Sequence, residues 1–236
     1  MELNEIRDVA WVADEFLTGP ARGVVLAFHG LGHMGERYEP STEEIGWLAA
    51  GGLVVFPYYG PWSWMNRQAR AFVDELVEGV YEHFSLPADA PLVCTGGSMG
   101  GCSSLIYTRY ARRRVAACLA NAPVCDLAFH FTERPDLPRS IRHAFRGYPG
   151  PFEEVLAEHS PFCQVPHMPD IPYLLVHGGK DRAVDKARHS DRFVAAMRQA
   201  GRSVEYIEIP AMGHCGPMPV ETIARMIDFV ADAVRP

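Results

Sequence analysis

The sequence predicts an α/β fold with a mainly parallel, twisted sheet of about seven or eight strands and helices on both faces. Three observations lead there. Short β-branched runs alternate with longer segments whose apolar residues recur three or four apart. The runs are apolar at nearly every position, as in strands covered on both faces. Strand–helix alternation also requires crossover connections, and these join parallel neighbours.

Taken in order, the alternating stretch 7–17 is expected to add an edge hairpin strand. GVVLAF (23–28), LVVF (53–56) and PLVCT (91–95) are the first buried-strand candidates, followed by VAACLA (115–120), PYLLVH (172–177) and SVEYIEI (203–209). Helices are expected at roughly 41–50, 65–85, 99–112, 186–200 and 218–234; Phe72, Leu76, Val80 and Phe84 form one apolar helical face. About fifty residues break this rhythm between the fourth and fifth of these strands. This Pro-rich insert, at about 123–170, carries short helix candidates near 136–146 and 151–158. It reads equally as a surface excursion or as a small helical lid over a cleft. With no second boundary and no repeat, residues 1–236 read as a single domain.

Composition excludes several classes. The chain has 236 residues, 48% hydrophobic and 22% charged, as in ordinary globular proteins. Its net charge of −7 argues against nucleic-acid or anionic-membrane partners, which need concentrated Lys and Arg. No run approaches the ~18 apolar residues of a membrane span, and the acidic N-terminal stretch is unlike a signal peptide. The six cysteines form no C-x-x-C pair, so a reduced, cytoplasmic setting is expected. The last strand or helix leaves a homodimer open.

The chemistry gathers at strand ends. Gly96-Gly97-Ser98-Met99-Gly100-Gly101 follows one apolar strand and opens a helix. Such a turn strains its central residue and needs small neighbours, so Gly96 and Gly100 have a physical reason and Ser98 is presented as a nucleophile. A serine hydroxyl needs an imidazole base and a carboxylate to orient it. His214, in the loop Pro210–Gly216 after the last strand, is the candidate base; His83, His143 and His189 read as surface or satisfied core histidines. Asp181, in GGKD after PYLLVH, is the candidate acid. Its rival Asp185 precedes a helical pattern and fits an N-cap. The oxyanion donors are expected to be the backbone N–H groups of Met99 and Leu31, with Gly32 the alternative to Leu31 in Phe28-His29-Gly30-Leu31-Gly32. His29 is expected to brace that loop. His29 and His33 flank glycines with no carboxylate or thiolate at ligand spacing, so no metal is expected, and no organic cofactor is required.

With HGLG, GGSMGG, GGKD and MGH in that order, the chain resembles the α/β-hydrolase fold over nearly its whole length. Tyr58-Tyr59-Gly60-Pro61-Trp62-Ser63-Trp64-Met65 and the GGSMGG turn are most similar to compact relatives of the prolyl oligopeptidase and dienelactone hydrolase groups. The expected activity is hydrolysis of small or medium carboxylic esters with apolar or aromatic groups, through an acyl-enzyme on Ser98. A serine peptidase or amidase is the alternative, and a non-catalytic binding protein on the same fold a more distant one. Tyr58, Tyr59, Trp62 and Trp64 are the candidate substrate-binding residues, though such aromatics equally pack a lid. Arg134, Arg139, Arg142 and Arg146 read as a carboxylate-binding set or as a solvated helix face, and Glu153-Glu154 is a candidate anchor for a substrate amine.

Overall fold

The computed structural model describes residues 2–235. Helix α1 (Leu3–Val9) leads into β1 (Ala10–Val12), β2 (Gly23–Phe28), α2 (Thr42–Ala49), β3 (Gly52–Pro57) and α3 (Arg67–His83). Then come β4 (Leu92–Gly97), α4 (Met99–Tyr110) and β5 (Val115–Asn121). The insert folds into four short helices, α5 (Leu127–Glu133), α6 (Leu137–Ala144), α7 (Phe152–Glu158) and α8 (Pro161–Gln164). The chain closes with β6 (Tyr173–Gly178), α9 (Arg192–Gln199), β7 (Val204–Ile209) and α10 (Val220–Val234).

The strands form one sheet in the order β1-β3-β2-β4-β5-β6-β7. Only β1 runs antiparallel, pairing Ala10 with Pro57 and Val12 with Val55; the other five pairings are parallel. The 7–17 stretch thus supplies an edge strand but no hairpin. Residues 3–9 are helical instead, because Glu2 and Glu5 close a capping box and Ile6 is buried against the core.

Period-two alternation splits the apolar strands between two layers. Val24, Leu26, Phe28, Leu53 and Val55 face one side with residues of α3, α4, α9 and the insert. Val25, Ala27, Val54 and Phe56 face the other, with Trp47 and Leu48 of α2 and Phe229 and Val230 of α10. On that side Trp47 Nε1 donates to the Met226 carbonyl. Gly46 has no room for a side chain, since a Cβ there would stand 2.5 Å from Ile227.

The insert is anchored on the first layer. Leu127, Leu137 and Ile141 are fully buried in its core, and Glu158 takes ion pairs from Arg67 and Arg70 of α3. Asn66 caps α3 by accepting the Ala69 N–H and also donates to the Ala144 carbonyl at the end of α6. Among the described residues no helix is long and apolar enough to cross a membrane.

Candidate active site

Ser98 stands between β4 and α4 at φ 58°, ψ −123°, a left-handed conformation that costs a non-glycine residue about 1–3 kcal/mol. The surrounding backbones hold it there. A Cβ on Gly96 would lie 2.5 Å from the Gly100 carbonyl, and one on Gly100 2.1 Å from the Phe28 carbonyl, so β2, β4 and α4 meet backbone to backbone. Ser98 N–H donates to the Asn121 carbonyl at 2.9 Å, fixing the turn against β5.

The loops after β6 and β7 meet in the same way. A Cβ on Gly178 would stand 2.2 Å from the Met212 carbonyl, and one on Gly179 2.8 Å from that of Pro210. This contact sets Asp181 beside His214, whose Nδ1 donates to Asp181 Oδ2 at 2.7 Å. Asp181 Oδ1 accepts the N–H groups of Ala183 and Val184 at 2.8 and 3.0 Å. Burial acts to raise the Asp181 pKa, but hydrogen bonds from His177, His214 and these amides outweigh it and hold the carboxyl far below its usual range. Asp185 is occupied elsewhere: its carboxylate accepts the Arg188 N–H at 2.9 Å, as a helix-start cap does.

His177 is a partner the sequence reading missed. Fully buried on β6, it places Nε2 3.2 Å from Asp181 Oδ2 and Nδ1 2.7 Å from Ser190 Oγ. Its only sequence signal is its place at a strand end, four residues before Asp181.

Ser98 and His214 line a cleft of about 620 Å³ with His29, Leu31, Arg37, Trp64, His130, Arg134 and Cys215. No carboxylate side chain lines it among the described residues. Gly32 N–H donates to the Pro61 carbonyl at 2.7 Å, whereas the N–H groups of Leu31 and Met99 have no acceptor among the described residues. His29 is buried, which lowers its pKa to about 4 and keeps it neutral, and its carbonyl takes the Tyr59 hydroxyl at 2.8 Å. His33 Nδ1 accepts the Gly35 N–H.

The four residues of the aromatic stretch take different surroundings. Only Trp64 reaches the Ser98 cleft, 1% exposed and edge-on to His130 at 5.3 Å. Tyr59 is 5% exposed and belongs to the core, with its hydroxyl tied to the His29 carbonyl and Ser103. Tyr58 and Trp62 line a hollow of about 640 Å³ toward α3 and α6, where Trp62 Nε1 donates to His143 Nδ1, and Trp62 also lines a smaller one with Leu31. Trp64 and Met65 both take φ 50°, in the turn that follows Ser63. Of the four insert arginines, Arg134 alone lines the Ser98 cleft. Glu153 and Glu154 are exposed on α7 and do not line it.

Residues 75–235 match the prolyl oligopeptidase family. The uncharacterized peptidase YtmA of Bacillus subtilis is 27% identical over 164 residues, covering 67% of this chain and 63% of that protein. Among solved structures, the Pyrococcus horikoshii acylaminoacyl peptidase superposes with a TM-score of 0.74 at 13% identity, over 92% of this chain and 37% of that one. A Mycobacterium tuberculosis puromycin-hydrolyzing peptidase gives 0.70 at 21% identity, over 92% and 35%. A lipase in its open form gives 0.67 at 16% identity, over 96% of this chain and 94% of that one. The chain thus spans just over a third of the two solved peptidases. With the sheet order, these likenesses show the α/β-hydrolase fold.

Proposed function

The chain belongs to the prolyl oligopeptidase family, and on that premise we propose that it is a serine hydrolase cleaving amide bonds of uncharged or N-blocked substrates through an acyl-enzyme on Ser98. The observation that carries this reading is the His214–Asp181 hydrogen bond on the cleft that Ser98 lines. Ser98 Oγ attacks the carbonyl carbon while His214 Nε2 takes its proton, and Asp181 holds the imidazolium that forms. The negative oxygen of the tetrahedral intermediate is received by the N–H groups of Met99 and Leu31. Gly32 is set aside because its N–H is engaged with Pro61. His214 then gives its proton to the leaving amine, and water deprotonated by the same imidazole attacks the acyl carbon and frees Ser98.

The sequence reading led with esters; the family and the names of the relatives favour the amide alternative. Esters fit the same apparatus, since an alkoxide leaves more easily than an amine. The cleft's lining offers a free substrate ammonium no counter-charge: no carboxylate side chain lines it among the described residues, and its Arg37 and Arg134 are already paired with Glu44 and Asp136. The proposal is tested by intact-mass analysis after exposure to a fluorophosphonate. One adduct that disappears in Ser98→Ala supports it; an adduct retained by that variant, or none on wild type, would sink it.

A further inference from the structure

A second imidazole–carboxylate pair faces the same cleft. His130, on α5 and 2% exposed, bonds Glu133 Oε2 through Nδ1 at 2.6 Å. The same oxygen lies 3.1 Å from His189 Nε2, and Glu133 Oε1 accepts the Asp185 N–H at 2.6 Å. Where the protons sit follows from the partners. His189 Nδ1 receives the N–H groups of Cys125 and Asp126 at 3.0 and 3.2 Å, so the His189 proton is on Nε2 and points at Glu133. Burial opposes ionisation of Glu133, but the hydrogen bonds from His130, His189 and Asp185 prevail and keep it a carboxylate.

An ionised Glu133 requires the His130 proton on Nδ1. Burial lowers the His130 pKa, so the ring is neutral and Nε2 carries a lone pair. Nε2 has no partner among the described residues, and the ring lines the cleft beside Ser98, Trp64 and His214. The donor atoms of His130, Glu133 and His189 lie within 4.8 Å of one another, as a metal site would require. A cation on His189 Nε2 would have to displace its proton, which cannot move to Nδ1 against two backbone N–H groups. The cluster is therefore a hydrogen-bonded network that orients His130.

We propose that His130 is a specificity-determining residue whose Nε2 accepts a hydrogen bond from an uncharged N–H or O–H near the scissile carbonyl, with Glu133 and His189 as its positioning residues. This rests on the acyl-enzyme reading above and narrows its substrate class. No carboxylate side chain lines the cleft beside His130 among the described residues, so an uncharged donor fits it better than a cationic one. Arg134 bonds Asp136 through Nε and Nη2.

The test compares the N-acetylglycyl aryl ester with the 4-oxopentanoyl aryl ester, in which the N–H is replaced by CH₂. Wild type is expected to favour the N–H substrate by about tenfold in kcat/KM, mostly through KM, as one hydrogen bond supplies. His130→Phe should lose that preference, read as the ratio of the two kcat/KM values within the variant, and circular dichroism checks that it folds. His130→Gln, which restores an acceptor and a donor to Glu133, should regain part of the preference. Equal kcat/KM for the two esters in wild type, or a preference that survives in His130→Phe, would overturn the proposal alone. Wild type that neither labels nor turns over either ester would overturn the acyl-enzyme reading and this proposal with it.

Discussion

His177 Nε2 lies 3.2 Å from Asp181 Oδ2, the oxygen that His214 Nδ1 engages at 2.7 Å. One buried carboxylate oxygen is thus held between two imidazoles, one on strand β6 and one in the loop that follows β7.

His177 Nε2 also stands 3.2 Å from the Val184 carbonyl, and replacing His177 with Phe removes an N–H shared between that carbonyl and a buried anion, which should cost about 1.5–3 kcal/mol of stability at pH 7 and lower kcat. Because the folded-state pKa of Asp181 is depressed, the stability it contributes is complete above the unfolded carboxyl value of about 4. It is lost as pH falls from there toward the folded value. Below the unfolded value wild type and His177→Phe lose this contribution at the same rate until the variant's own folded carboxyl value is reached, so denaturant titrations should show a gap that holds from pH 7 to about pH 4 and closes only at more acid pH. No gap at pH 7 would contradict this role.

Gly100→Ala should destabilise the protein by about 3 kcal/mol or more, since the added Cβ would stand 2.1 Å from a backbone carbonyl that cannot swing aside. Thermal unfolding measures it, and Gly147→Ala provides a contrast: Gly147 has φ +85° but open space around it, so only its backbone conformation is strained. Equal losses at the two sites would show that the β2–α4 contact is not the constraint.

Leu31→Pro removes one N–H and should lower kcat by roughly a hundred to a thousandfold with KM little changed. Circular dichroism and the melting temperature check that the loop survives. A variant that folds and keeps wild-type kcat would place the second oxyanion donor elsewhere.

Asp181→Asn should lower kcat by about 10⁴, because an amide supports the wrong imidazole tautomer. Asp185→Asn should leave kcat within a few fold, since Asp185 caps the Arg188 N–H rather than meeting His214. Steady-state kinetics of the two variants separates the rivals, and the reverse order of effects would reassign the acid.

Ser98, Asp181 and His214 were legible in the sequence because each follows a parallel strand in a short glycine-bearing loop, and such loops share one edge of the sheet. Gly96 and Gly100 were legible because backbones meet there and side chains would keep them apart; the same contact at Gly178 and Gly179 emerged only from the structure. The different surroundings of Tyr58, Tyr59, Trp62 and Trp64 were not legible, because nothing in an aromatic-rich stretch signals the consecutive left-handed residues Trp64 and Met65. The His130–Glu133–His189 network was hidden by distance. His189 lies 56 residues beyond Glu133, and how α5 packs against the segment after β6 depends on tertiary contacts that no local pattern encodes. His189, expected to be a surface or satisfied core histidine, is a buried one with both ring nitrogens bonded.

The most direct test of the central claim is kcat/KM for an N-blocked aryl amide and its matched aryl ester, measured on wild type and Ser98→Ala. Amide hydrolysis comparable with ester hydrolysis, with both reduced at least about a thousandfold in Ser98→Ala, is the predicted result. Amide cleavage that persists in Ser98→Ala, or an enzyme that turns over the ester while leaving the amide untouched, would contradict it.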